Sequence, residues 1–375
     1  MLNKILIRTL ALVAISLLNR QTAIAETPYI DSVQGNVELK RKTVNEAGFR
    51  VIKRMPVSLT VGDQLRLSSG AMAKIICPGQ KTPREVRQTG ERLGVQKLCP
   101  AWKAIVKKGP PPLVNISGTN SQIPFLITPR RTLILDPKPT IRWNPVPGSS
   151  QYTVKIVNAQ GIVWQTQVKE SQVTYSGTSA LQPGIPYSIT IQTNTGKASQ
   201  SEAGSEFILL RDAEAKVVQA AVNQIAQSDF NADIKALKLV DYYSTYEVPE
   251  PLAYGLSEKT AKSYRLNADA IATLKTLIAQ DKQSPLIYRT LGDLYLQTGV
   301  MAPAENAYLR AIETVQSLED LEEWSLTLYG LGELYEVTQN LQQALIFYSQ
   351  AKAGFILLND QRAEGLNRDI ARLRK

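Results

Sequence analysis

Residues 288–295 read YRTLGDLY, and residues 328–335 read LYGLGELY. The first stretch is followed by Ala304, Tyr308 and Ala311, the second by Ala344, Tyr348 and Ala351. Tyr288, Leu291, Gly292 and Tyr295 thus recur as Leu328, Leu331, Gly332 and Tyr335, and all seven positions keep their offsets forty residues later. Spacings of three and four put these residues on one face of a helix. Small residues at Gly292 and Ala304 let two helices approach closely, while Tyr295 and Tyr308 fill the space between them and their neighbours. A seven-position pattern met twice points to stacked helical hairpins rather than to an ordinary amphipathic bundle.

The pattern resembles the tetratricopeptide repeat, with a large residue, Leu, Gly and Tyr on helix A and Ala, an aromatic residue and Ala on helix B. The resemblance implies a helical solenoid over residues 211–375. Its repeats lie near 231–284, 285–318 and 325–358, and a charged helix at 361–374 caps the last apolar face. The period is forty rather than thirty-four. Six extra residues around Gln316 to Glu323 are expected to lengthen the helices. An earlier, degenerate repeat keeps Ala270, Leu274 and Leu277, with its helix A near Ala236 to Tyr243. About eighteen inserted residues, Ser244 to Lys262 with Pro249 and Pro251, read as a surface loop.

In that family a partner protein lies in the groove lined by helix A. Carried across, the groove positions are Leu286, Arg289, Asp293, Leu296 and Gln297 in the second repeat, and Leu326, Tyr329, Glu333 and Glu336 in the third. With one Arg and three carboxylates, the set departs from the family's clamp for a C-terminal carboxylate and suits a basic or mixed peptide. The alternative is a set of solvated helix faces. As surface positions, Arg289, Tyr329 and Glu333 should tolerate Ala within about 0.5 kcal/mol, whereas Tyr295 and Tyr335 belong to the core.

Upstream the pattern changes to β. VQGNVEL at residues 33–39 and VGDQLRLSSGAMAKI at 61–75 alternate between Gly turns. They resemble the FecR-like domain of bacterial envelope proteins, which implies an all-β unit without catalytic residues over 26–108. A Pro-rich linker follows at 109–126, stiffened by Pro110, Pro111 and Pro112. From 127 to 210 short strands recur about every ten residues, including Thr140 to Trp143, Tyr152 to Ile156 and Tyr187 to Ile191. This series resembles fibronectin type III and Ig-like β-sandwiches, in which Trp143, Tyr152 and Tyr187 are packing residues. The expected fold class is therefore multidomain β + α.

Composition narrows function. The 375 residues contain no His, which removes the commonest general base and metal ligand. No nucleophile elbow, P-loop or metal-ligand spacing replaces it, so no enzyme, cofactor or metal is expected. Lys4 and Arg8, the apolar run Thr9 to Leu18 and Ala23-Ile24-Ala25 read as a signal peptide over 1–25, implying a periplasmic or extracellular protein. No later run is long and apolar enough to span a bilayer. In an oxidising compartment Cys77 and Cys99 read as one disulfide, which would stabilise by about 3 kcal/mol; two separate buried thiols are the alternative.

Residues 26–125 hold 16 Lys/Arg against 7 Asp/Glu, while 211–375 hold 17 against 22. Opposite charge at the two ends suggests two partners. The leading expectation is a non-enzymatic envelope scaffold binding a protein partner through the repeat groove. The alternative is binding of peptidoglycan or another anionic envelope polymer by Lys40, Arg41, Lys42, Lys53, Arg54, Arg84, Arg87, Arg92 and Lys97. Nucleic acid fits the charge but not the compartment. The intact mass of the exported protein should begin at Glu26, and a mass that retains residues 1–25 would remove the signal reading.

Overall fold

The structure is a computed structural model. It describes residues 28–42, 48–53, 55–77, 80, 82–87, 92–100, 116–199, 204–257 and 264–374. The expected signal peptide, Arg54 and residues 101–115 of the expected first unit and linker lie outside the described residues. Within them the chain is β in its N-terminal part and helical in its C-terminal part.

The first β unit contains β1 (Tyr29–Gln34), β2 (Val37–Lys40), β3 (Arg50–Val51), β4 (Val57–Ser58), β5 (Gln64–Leu67), β6 (Met72–Ile76), β7 (Arg84–Val86) and β8 (Leu93–Gly94). They form two antiparallel sheets, ordered β4-β1-β6-β7 and β3-β2-β5-β8. Alternation turns Val37, Leu39, Leu65 and Leu67 inward onto Ile30, Ala73 and Ile75. Cys77 and Cys99 form a disulfide, with Cα atoms 5.5 Å apart. It ties the end of β6 to the helical turn Val95–Leu98.

The second unit contains β9 (Leu126–Thr128), β10 (Thr132–Ile134), β11 (Thr140–Trp143), β12 (Tyr152–Asn158), β13 (Gly161–Val168), β14 (Gln172–Thr174), β15 (Pro186–Thr193) and β16 (Glu206–Leu209). Their orders are β14-β11-β9 and β10-β16-β15-β12-β13. The pair β10–β16 is parallel. Ile141 and Trp143 from the smaller sheet pack with Val154, Ile156, Ile189, Ile191 and Phe207 from the larger one. Buried Tyr hydroxyls meet backbone donors: Val146 N donates to Tyr152 Oη at 2.9 Å and Gln182 N to Tyr187 Oη at 2.8 Å.

The helical part comprises α1 (Asp212–Ala226), α2 (Ala232–Thr245), α3 (Asn267–Ala279), α4 (Pro285–Gln297), α5 (Met301–Glu313), α6 (Leu321–Val337), α7 (Leu341–Leu357) and α8 (Arg362–Leu373). Starts follow sequence chemistry. Asn231 caps α2 through Ile234 N, and Ser284 caps α4 with Pro285 in the first helical position. Neighbours pack as hairpins α2/α3, α4/α5 and α6/α7, with α8 against α7. On α8, Ala363, Leu366 and Ile370 form the buried face of an otherwise polar helix.

The paired small and aromatic residues set the spacing of these hairpins. A methyl added at Gly292 would stand 2.6 Å from the Tyr308 ring. Gly330 brings the next repeat equally close to the same ring, and Gly332 does so for Tyr348. Ala304, Ala311, Ala344 and Ala351 are fully buried around these rings.

Two insertions build contacts between units. Helices α6 and α7 run 17 residues each, against 13 each for α4 and α5. The added residues also make a 3₁₀ turn at Leu318–Asp320, which packs against β4. The segment expected as a surface loop after α2 is instead partly interior. Tyr246, Val248, Tyr254 and Leu256 are buried in the helical core, as is Tyr264 just beyond the segment, because large apolar or aromatic residues gain more by packing than by solvation. They also reach the sandwich: Tyr264 Oη donates to Glu206 at 2.8 Å and Leu133 N to Arg265 O at 2.8 Å. Residues 258–263 lie outside the described set.

Replacing Gly292 by Ala should overpack the Tyr308 ring and cost about 1–3 kcal/mol in chemical denaturation. Gly94→Ala, which meets open space at an extended φ of −73°, should leave the midpoint unchanged.

Candidate functional site

The groove positions converge on one buried polar chain. Arg289 on α4 donates from Nε to Glu323 at 2.6 Å and from a terminal nitrogen to Asp293 at 2.7 Å. Tyr308 Oη donates to the other oxygen of Asp293 at 2.8 Å. Glu323, at the start of α6, also accepts from Ser58 Oγ on β4 at 2.5 Å. Two carboxylates and one guanidinium thus tie helices α4, α5 and α6 to the first β unit. Burial works against the Arg289 charge, but Glu323 and Asp293 more than offset it and hold the guanidinium above its ordinary range. The Tyr308 hydroxyl is pushed well above its usual value, first by burial and then by Asp293 and Glu333.

The neighbouring carboxylate serves a second contact. Glu322 accepts from Arg362 of α8 at 2.6 Å, and Asp360 meets the same guanidinium at 2.7 Å. Burial raises the Glu322 carboxyl above its ordinary value, and Arg362 opposes that shift. Arg41 of the first β unit pairs with Asp63 at 2.6 Å and also donates to Glu319 O in the 3₁₀ turn. Asn231 at the start of α2 donates to Asp31 on β1 at 2.6 Å.

The expected groove residues are therefore mostly covered. Leu286, Arg289, Leu296, Tyr329 and Glu333 are buried, Asp293, Leu326 and Glu336 are half-buried, and Gln297 is exposed. Glu336 accepts from Tyr348 Oη at 2.9 Å and from Arg372 of α8. The expectation that Arg289, Tyr329 and Glu333 are surface sites is corrected: they are 8 %, 8 % and 4 % exposed. The repeat pattern assigns a residue to a helix face, but it does not show what other part of the chain lies on that face. Tyr295 is in the core as expected. Tyr335 is half-buried, stacked on Phe347 at 5.4 Å and bonded to Glu305.

The basic residues separate similarly. Arg41 is interior, Arg84 donates to Leu98 O at 2.6 Å, and Arg87 pairs with Glu85 at 3.1 Å. Lys42, Lys53, Arg92 and Lys97 are exposed. Among the described residues no group of three or more His, Cys, Asp or Glu is arranged to hold a metal ion. No protein-family model and no curated protein matches the sequence.

Sequence reasoning missed Ser58, Glu322, Glu323 and Arg362. The available signal was Glu322-Glu323 at the end of the six-residue insertion, followed by an apolar helix. Adjacent carboxylates there imply cationic partners that the repeat itself does not supply. Glu323→Ala should leave Arg289 buried with one counter-charge fewer, and removing one partner of a buried pair costs about 3–5 kcal/mol. The exposed pair Arg310–Glu313, screened by solvent, should cost far less when Arg310 becomes Ala. Urea denaturation of both variants checks the ranking.

Proposed function

We propose that this chain is an exported, non-catalytic scaffold. In this reading a tetratricopeptide-type array holds a FecR-like unit and a fibronectin III/Ig-like sandwich in fixed relation, and a protein partner binds the assembled array. The carrying observation is the buried chain from Ser58 through Glu323 and Arg289 to Asp293 and Tyr308. A helix face that such arrays offer to a partner here holds part of its own polypeptide, an arrangement suited to a rigid platform. The absence of His in the sequence supports the non-catalytic part.

Several features support the finer assignments. The Gly–Tyr contacts recur in both strong repeats at the positions that resemble the tetratricopeptide pattern. Tyr187, at the start of β15, accepts from the backbone five residues upstream, as the corner Tyr of Ig-like sandwiches does. The signal-like N-terminus and the Cys77–Cys99 disulfide support export into an oxidising compartment.

A separate partner would meet what remains open on the helix A face, chiefly Gln297 and the half-buried Leu326. Affinity capture from envelope extract with the full chain should retain a protein. Recovery should fall at least tenfold when the exposed Gln297 is replaced by Arg, with unchanged thermal melting. Equal recovery by the two chains would remove this face from the reading, and no retained protein at all would remove the scaffold function.

A further inference from the structure

The outward face of sheet β3-β2-β5-β8 lies apart from the array contacts described above. The register places Val51, Glu38 and Arg66 in one row across the strands, and Leu65↔Leu93 continues it to Arg92. Their neighbours Leu39, Leu65 and Leu93 point into the core, so this row faces outward. Phe49, just before β3, contacts both cations. The Arg66 guanidinium carbon lies over its ring at 4.4 Å from the centroid and that of Arg92 at 5.7 Å. Arg66 is 46 % exposed and donates to Glu38 at 2.6 Å. Arg92 in the same row and Lys53 after β3 are exposed as well.

Stacking on one ring does two things. It restrains two long side chains that would otherwise lose rotamer freedom on binding. It also presents two planar guanidiniums, within about 10 Å of each other, each able to engage an oxyanion through paired donors. Among the described residues one carboxylate, Glu38, accompanies these cations, so they retain net positive charge.

We propose that this face is a binding site for a linear polyanion of carboxylated sugar, with Phe49 as the post that sets Arg66 and Arg92 and the two guanidiniums as the oxyanion contacts. A glycan fits better than a single-stranded nucleic acid because the half-buried Phe49 ring already carries both cations and offers no open platform for base stacking. The site is independent of the scaffold reading, since no array residue takes part in it.

The test uses the full chain and polygalacturonate, with neutral dextran as the uncharged control. Wild type should bind polygalacturonate and not dextran, and binding should weaken as salt screens the contacts. Arg66→Gln with Arg92→Gln should raise the apparent Kd at least tenfold. Lys169→Gln with Lys216→Gln, which removes the same charge from exposed positions elsewhere, should leave it within twofold. Phe49→Ala should weaken binding although net charge is unchanged, and Lys at both Arg positions should fail to restore it fully. Equal weakening by the two double variants would overturn the site in favour of diffuse charge. No binding of polygalacturonate by wild type, or tighter binding of a single-stranded oligodeoxyadenylate, would overturn the glycan assignment.

Discussion

A carboxylate removed from water must be met by a cation and by hydrogen-bond donors, or its burial costs several kcal/mol. Glu323 is the point at which this chain meets that demand. It takes one donor from Arg289 in the preceding repeat and one from Ser58 in the first β unit. Neither donor is local in sequence. Satisfying one side chain therefore fixes the register of α6 against α4 and the seat of β4 on the array. Glu322 imposes the same demand in another direction and is met by Arg362 of α8. Two adjacent residues thus constrain both ends of the last hairpin.

Around these points the array rests on steric fit. Tyr308 is enclosed by Gly292 and Gly330 and so reports on the spacing of two repeats, while Tyr348 against Gly332 reports on that of one hairpin. Tyr308 also donates to Asp293, which makes one side chain part of both the packing and the polar chain. Tyr348 does likewise through Glu336, which Arg372 of α8 also contacts. A repeat protein transmits stability mainly between neighbours. Here the transmission extends past the repeats into the first β unit through Ser58, and into the sandwich through Tyr264 and Arg265.

This arrangement places the outward surfaces of the β units apart from the array's inner face. The first β unit faces the 3₁₀ turn and α6 through Arg41 and Ser58, while Phe49, Arg66 and Arg92 lie on the outward side of one of its sheets. Charge in the basic head is therefore divided. Arg41 is spent on docking, Arg84 and Arg87 on local contacts, and the Phe49 cluster stays solvent-facing.

The helical hairpins, the strand-rich character of the first two regions and the candidate cysteine pair were legible in the sequence. Each depends on short-range periodicity, or on a pairing with no competitor: only two Cys exist, and the seven repeated offsets admit few other packings. The groove was legible as a list of positions but not as a surface. Whether Arg289 meets solvent depends on Glu323, thirty-four residues away, and on Ser58, farther still. The inserted segment after α2 shows the same limit: two prolines read as a loop, while Tyr246, Val248 and Tyr254 were free to pack. Local pattern determines which face of an element is apolar, because side-chain direction repeats with the backbone. Which face is covered, and by what, was decided by the tertiary structure, because burial of a charge is settled by partners that sequence spacing does not bring together.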